Sequence, residues 1–225
     1  MGTCSEVGER VTAAVTAGIV AVLVLSGCAK SMAPPPSADV RQQAFPDIGG
    51  RTVMMLPVQS AMPLVTMPPT ADPAGTPVPL PEPARAALEA ELAYWLPQAG
   101  PRVRWVMTDA VERSVRGSPA IDVRVRELTV RDFQRARLQY IGDPLYTELR
   151  RVAALMDARA AFLPIGAVWI PEREGGGRVH LAAAIIDTMG GQVLWQGVVA
   201  GTPGALDDPT TVASAAQALA RLVPQ

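Results

Sequence analysis

Thiols are almost absent from this chain. Its two cysteines, Cys4 and Cys28, both stand near the start, so everything after residue 28 lacks a disulfide, a thiol nucleophile and a cysteine metal ligand. Lysine is scarcer still: Lys30 stands alone against 19 arginines, which excludes a buried catalytic amine from the rest of the sequence. Histidine occurs once, at His180, and this removes every two-histidine metal site or mechanism. An excess of either charge is missing too. Setting aside Glu6, Glu9 and Arg10 leaves 19 basic and 19 acidic side chains, a balance that gives no attraction to nucleic acid or to an anionic membrane surface. The whole chain is 49% hydrophobic and 18% charged, the composition of a folding globular chain with room for one domain.

The first informative presence is the run from Val11 to Leu25, rich in Val, Ala and Leu and free of charge. It suits the apolar core of an export signal and falls short of the ~20 residues a spanning helix needs. It ends as Leu25-Ser26-Gly27-Cys28, the shape of a bacterial lipoprotein processing site. The reading is a leader over residues 1–27, cleaved between Gly27 and Cys28, with the Cys28 sulfur carrying diacylglycerol. Glu6 and Glu9 against Arg10 depart from the net positive start of most export signals. The alternative is a buried helix or an uncleaved anchor with Cys28 as an ordinary thiol. Residues 28–50, with Pro34-Pro35-Pro36, read as a flexible tether, and Ala29 after the cysteine points to the outer membrane, periplasmic face.

Residues 51–225 read as a single α/β domain. Thr52 to Val58 is a buried strand ended by Pro57, followed by a proline-rich loop at about 59–81 in which neither helix nor ladder is expected. A helix from Pro83 to Leu96 carries Leu88, Leu92 and Trp95 at helical spacing. Val103 to Met107 reads as a strand, and Thr108-Asp109 as the cap of a brief helix. Alternation over Asp122 to Leu128 predicts a strand, and Val130 to Tyr140 a helix. Asp143-Pro144 opens a helix reaching about Ala158, and Asp208-Pro209 opens the last one. Between them, Ala160 to Ile170, Arg178 to Asp187 and Gln192 to Ala200 form an antiparallel meander joined at Gly175-Gly176-Gly177 and Met189-Gly190-Gly191. The sum is a mixed β-sheet of about five strands with a C-terminal antiparallel meander, covered by helices.

The segment from Ile185 through Asp187-Thr188-Met189-Gly190-Gly191 to Val193-Leu194-Trp195, with the early Val53 to Val58 strand, resembles the superfamily of curli-secretion lipoproteins. That superfamily includes the amino-terminal domain of the Tol-system propeller protein and the lipoprotein activators of penicillin-binding proteins. The resemblance implies a periplasmic α/β domain that binds other proteins or assembles. In it Asp187, Gly190 and Gly191 would build a turn and Trp195 would pack under a helix, with none of them catalytic. The charged stretch between Gly117 and Gly142 does not read as a membrane-spanning hairpin.

Reaction chemistry is thinly supported. His180 lies between Val179 and Leu181 in a strand and reads as a surface or edge residue. Ser114, Ser118 and Ser214 lack a nucleophile elbow, and Gly175-Gly176-Gly177 reads as a hairpin tip with no lysine after it. Met54, Met55, Met62 and Met67 are too dispersed for a soft-metal site. The expectation is a non-enzymatic, cofactor-free and metal-free lipoprotein. It is held to the membrane by its N-terminal lipid and binds an envelope protein partner or copies of itself. Two alternatives remain: a lipid- or glycan-handling accessory subunit of a transport system, and an acid-base cell-wall hydrolase.

Overall fold

A computed structural model describes residues 44–60, 75–134, 138–173 and 175–224. Gly27 and Cys28, with the leader and most of the tether, lie outside the described residues. The packed chain begins ahead of residue 51, because Ile48 is buried and the Phe45 ring rests on Trp195 with centroids 5.1 Å apart.

The core is a six-stranded mixed sheet between two helical layers. Strand β1 (Thr52–Met55) is buried at every position, and it runs parallel to both β3 (Arg104–Val106) and β4 (Ala160–Pro171). From β4 the sheet continues antiparallel through β5 (Gly177–Asp187) to the edge strand β6 (Val193–Ala200), giving the order β3-β1-β4-β5-β6. Parallel neighbours need a crossover, supplied by α1 (Glu82–Ala99) between β1 and β3 and by α2 (Thr108–Arg116) and α3 (Leu145–Met156) before β4. The mixed sheet and its terminal meander match the sequence reading. A sixth strand is added by β2 (Val78–Pro79), which pairs with Trp169 and Val168 inside the stretch where no ladder was expected. Pro79 is tolerated because β2 is short and exposed.

Strand alternation sorts the core into two faces. Val53, Met55, Phe162, Leu181, Ala183 and Ile185 meet Leu88, Leu92 and Leu96 of α1 and Val212, Ala216 and Leu219 of α4 (Pro209–Ala220). On the other face Met54, Leu163, Ala184 and Ile186 meet Val111 of α2 and Leu145, Leu149 and Val152 of α3. Two irregularities reset the alternation. The register shifts between Pro164 and Gly166 in β4, and again opposite Ile185–Ile186, where Leu194 of β6 is the extra residue. Val193 and Trp195 therefore face opposite layers although they are two residues apart.

Helix ends follow local chemistry with small shifts. Asp208 caps α4 by accepting the Thr210 amide at 2.8 Å. The expected cap at Thr108 is corrected: Met107 is the cap residue, and Thr108 is buried, donating its hydroxyl to the Met55 carbonyl at 3.3 Å. Asp143 stands one residue further out than expected, with Pro144 at the cap, and takes the Thr147 hydroxyl at 2.6 Å. α3 stops at Asp157, a left-handed residue at φ 47°.

Two expected elements do not form. The Asp122–Leu128 stretch alternates and buries Val123, Val125 and Leu128, but it packs in the layer of α2 and α3, pairs with no described strand and is an irregular loop. From Val130 to Tyr140 the only helical piece among the described residues is the 3-10 turn Arg131–Gln134. After it the chain runs along β6: Gln139 accepts the Val193 amide at 2.8 Å and Tyr140 bridges to Gln192. Tertiary hydrogen bonds offered by the sheet edge displace the helix that periodicity suggested.

Candidate functional site

Open α/β sheets present ligands with a crevice beyond the carboxyl ends of parallel strands, where the chain leaves to opposite sides. Here that place lies beyond β1, where α1 covers one face of the sheet and α2 and α3 the other. It is filled by the protein itself. Gln59 is 2% exposed; its amide donates to Pro57 O at 2.8 Å and Val125 O at 2.9 Å, and its carbonyl accepts the Leu128 amide at 2.9 Å. One side chain thus pins the 121–130 loop across the strand ends and satisfies backbone groups that have no ladder partner.

An ionic cluster seals the rim. Glu89 of α1 accepts the Val58 amide at 2.9 Å and pairs with Arg126 at 3.3 Å, while Arg126 Nε lies 2.6 Å from Glu112 of α2. Partial burial would lower the Arg126 pKa, but the charges of Glu89 and then Glu112 outweigh it and raise it. Both carboxylates are spent on one guanidinium, an arrangement that locks two helices and a loop and offers no free acid. Among the described residues the carboxyl that burial pushes up is Glu148 of α3, opposed by the charge of Arg151. Among the described residues no group of histidines or acids is placed to hold a metal ion.

His180 corrects the sequence reading: it is 1% exposed, on the second strand from the β6 edge, paired across to Val168 and Ala200. Nδ1 has no hydrogen-bond partner. Burial lowers its pKa, the Arg178 charge lowers it further, and Glu172, ion-paired to Arg178 at 2.5 Å, partly restores it. Glu172 is held by Arg178, and His180 Nδ1 is hydrogen-bonded to no acid, so the imidazole is not part of a triad.

The motif residues cluster at the β5–β6 turn. Asp187 Oδ2 accepts the Gly190 amide at 2.7 Å, and Gly191 adopts φ 69°, a left-handed conformation that glycine enters without strain. A Cβ at Gly191 would also meet the Tyr146 ring at 2.9 Å, and the Tyr146 hydroxyl donates to Met189 O at 2.8 Å, so the turn docks on α3. Trp195 is buried in the layer under α1 and α4 and meets the Phe45 ring at a tilt of 48°. These contacts are structural.

Surface chemistry concentrates elsewhere. Between the last turns of α1 and α4 lies a shallow cavity of about 370 Å³ lined by Trp95, Gln98, Gln217 and Arg221 over Ala99 and Ala220. Trp95 donates Nε1 to Glu91 at 3.0 Å, and Tyr94, 60% exposed, meets its ring edge-on at 5.0 Å. Sequence reasoning directed Trp95 toward the core, and the ring does pack, partly buried, against the core layer, but the groove beside it was missed. The adjacent Tyr94-Trp95 pair carried a signal, because neighbours on a helix point about 100° apart and one of two such rings must leave the core face.

No known family matches the chain, and no curated protein is similar to it. Among solved structures, a PelC dodecamer from Paraburkholderia phytofirmans is similar at 14% identity and a TM-score of 0.39, over 82% of this chain and 94% of that one. A variant of the same dodecamer gives 12% identity and a TM-score of 0.37, over 79% of this chain and 90% of that one.

Proposed function

We propose that this chain is a lipoprotein of the bacterial envelope, tethered to the outer membrane through Cys28, whose α/β domain binds a partner and catalyses nothing. The observation that carries the reading is the charge-free run Val11 to Leu25 closing on Leu25-Ser26-Gly27-Cys28. The non-enzymatic part is supported by the strand-end crevice, filled by Gln59 and sealed by Glu89, Arg126 and Glu112. It is supported too by His180 Nδ1 and Glu148 Oε2, buried atoms that engage no hydrogen-bond partner. A domain confined to a membrane surface meets other envelope proteins, or further copies of itself, at raised effective concentration, so a modest interface suffices. Membership of the curli-secretion lipoprotein superfamily belongs to the same reading.

The experiment is intact-mass analysis of the protein extracted from membranes. The expected product lacks residues 1–27 and carries acyl chains at position 28, and Cys28→Ser leaves the leader attached and the mass without acyl chains. A wild-type product that retains its leader, or bears no acyl chain, overturns the proposal. Crosslinking in intact cells then reads the partner: a discrete heteromeric or homomeric adduct is expected.

A further inference from the structure

We propose that the domain rests on the membrane surface by one end of its sheet, where Arg51, Arg150 and Arg159 take lipid phosphates and Met189 and Tyr140 enter the interface. The inference rests on the reading above for the presence of a membrane; intact mass reports on the anchor and the contact is read separately, so the two fail apart.

Charge balance over the whole chain gives no such attraction, and the topology creates it locally. Strands β1, β3 and β4 begin side by side, and backbone hydrogen bonds fix the order of the residues that open them. The Arg104 amide donates to Arg51 O at 3.0 Å, the Arg159 amide to Thr52 O at 2.9 Å, and the Thr188 amide to Arg159 O at 3.2 Å. Neighbouring strands stand about 4.8 Å apart, so Arg104, Arg51, Arg159 and the β5–β6 turn form a row along one end of the sheet. Met189 in that turn is 52% exposed, and Tyr140, bridged to Gln192 just before β6, is 59% exposed.

Two cations at this end are already matched. Arg102 lies 3.8 Å from Asp47 just past the end of α1, and Arg104 lies 3.7 Å from Asp157 at the end of α3, so both answer an acid and the partial negative charge of a helix terminus. Asp187 accepts the Gly190 amide within its own turn. Arg51 and Arg159 are exposed and make no ion pair or side-chain hydrogen bond among the described residues. Arg150, also exposed, reaches the Tyr146 hydroxyl at 3.5 Å, and that hydroxyl donates to Met189 O, which sets this third guanidinium beside the turn. A guanidinium without an acid matches a phosphate through two parallel hydrogen bonds. An exposed phenol and an exposed thioether beside such cations suit the headgroup level of a bilayer, where the ring keeps its hydroxyl wet and the apolar parts leave water.

The path of the chain selects a membrane as the source of the phosphates. The described chain begins at residue 44 on this same end: Phe45 packs on Trp195, Asp47 stands beside Arg102, and the Gly50 amide donates to Arg102 O at 2.9 Å. A tether from Cys28, or an uncleaved leader, therefore joins the domain at the end that carries these residues, and confinement keeps headgroups there at high effective concentration. Val78 is another exposed apolar residue, but it pairs with Trp169, nine positions beyond the start of β4, and so marks the far end of the sheet.

The test places a photoreactive benzoylphenylalanine at position 189 or at position 78 of the full chain, held in vesicles of phosphatidylcholine with phosphatidylglycerol, and reads lipid adducts by mass. The adduct yield at position 189 is expected to exceed that at position 78 about tenfold, and to fall about tenfold in vesicles of phosphatidylcholine alone and in Arg51→Gln with Arg159→Gln. Both substitutions lie at exposed positions, so thermal unfolding of the double variant should be unchanged. Equal yields at the two positions overturn the proposal, as does a yield indifferent to phosphatidylglycerol or to the loss of both arginines. Adducts from position 189 to a second copy of the chain in place of lipid overturn it too.

Discussion

Replacing Gln59 with leucine tests the claim that this fold closes its own ligand crevice. The two side chains are close in volume, so the change in packing is small, and the effect falls on the hydrogen bonds to Val125 O and Leu128 N. Val125 and Leu128 are buried, and neither group appears in a backbone ladder. Each orphaned group costs about 1–3 kcal/mol, and with partial relaxation of the loop the substitution should destabilise the domain by about 2–5 kcal/mol. Urea unfolding followed by tryptophan fluorescence and by circular dichroism gives the total. Hydrogen exchange at the Leu128 amide localises it, with protection falling ahead of that of β5. A loss below about 0.5 kcal/mol, the ordinary scatter of surface substitutions, with unchanged Leu128 protection would refute the reasoning.

Other expectations follow from single residues. His180 is held neutral by burial, so its folded pKa lies below the ordinary 6.5. Its unfolded form takes up a proton first, and stability, full above pH 6.5, falls as pH drops through that value toward the folded pKa. His180→Phe should flatten the stability profile between pH 7 and 5, measured by urea midpoints, and an unchanged profile would remove His180 as the cause. In Gly197→Ala the new Cβ would stand 2.6 Å from the Trp195 ring, an overpacking that costs about 1–3 kcal/mol in thermal unfolding. The loss should shrink in a Trp195→Leu background, and strict additivity would show that the ring is not the obstacle. Asp157→Gly removes a left-handed non-glycine residue at the end of α3 and should raise stability by up to about 1 kcal/mol, read as a higher melting temperature.

Much of the fold was legible because it is encoded locally. Asp208 before Pro209 starts α4 through its own carboxylate, and the long aliphatic runs of β4 and β5 form central strands. The Asp187–Gly191 turn closes on itself within five residues. Of the candidate site little was legible. His180 looked like an edge residue since alternation shows which way a side chain points but not whether a neighbouring layer covers it. Val123 and Val125 alternate like a strand, yet the partner of the Val125 carbonyl is a side chain more than sixty residues away.

Residue order alone determined the long strands and helices, the Asp208 cap, the charge balance and the thiol-free domain, because the elements and the cap depend on neighbours within a turn or two and the rest on composition. Tertiary structure decided where the extra residue Leu194 turns Trp195 toward α1, how Gln59 closes the strand ends, and that the ends of α1 and α4 form one groove. Those outcomes rest on hydrogen bonds and surfaces brought together from distant parts of the chain, and no local pattern carries their geometry.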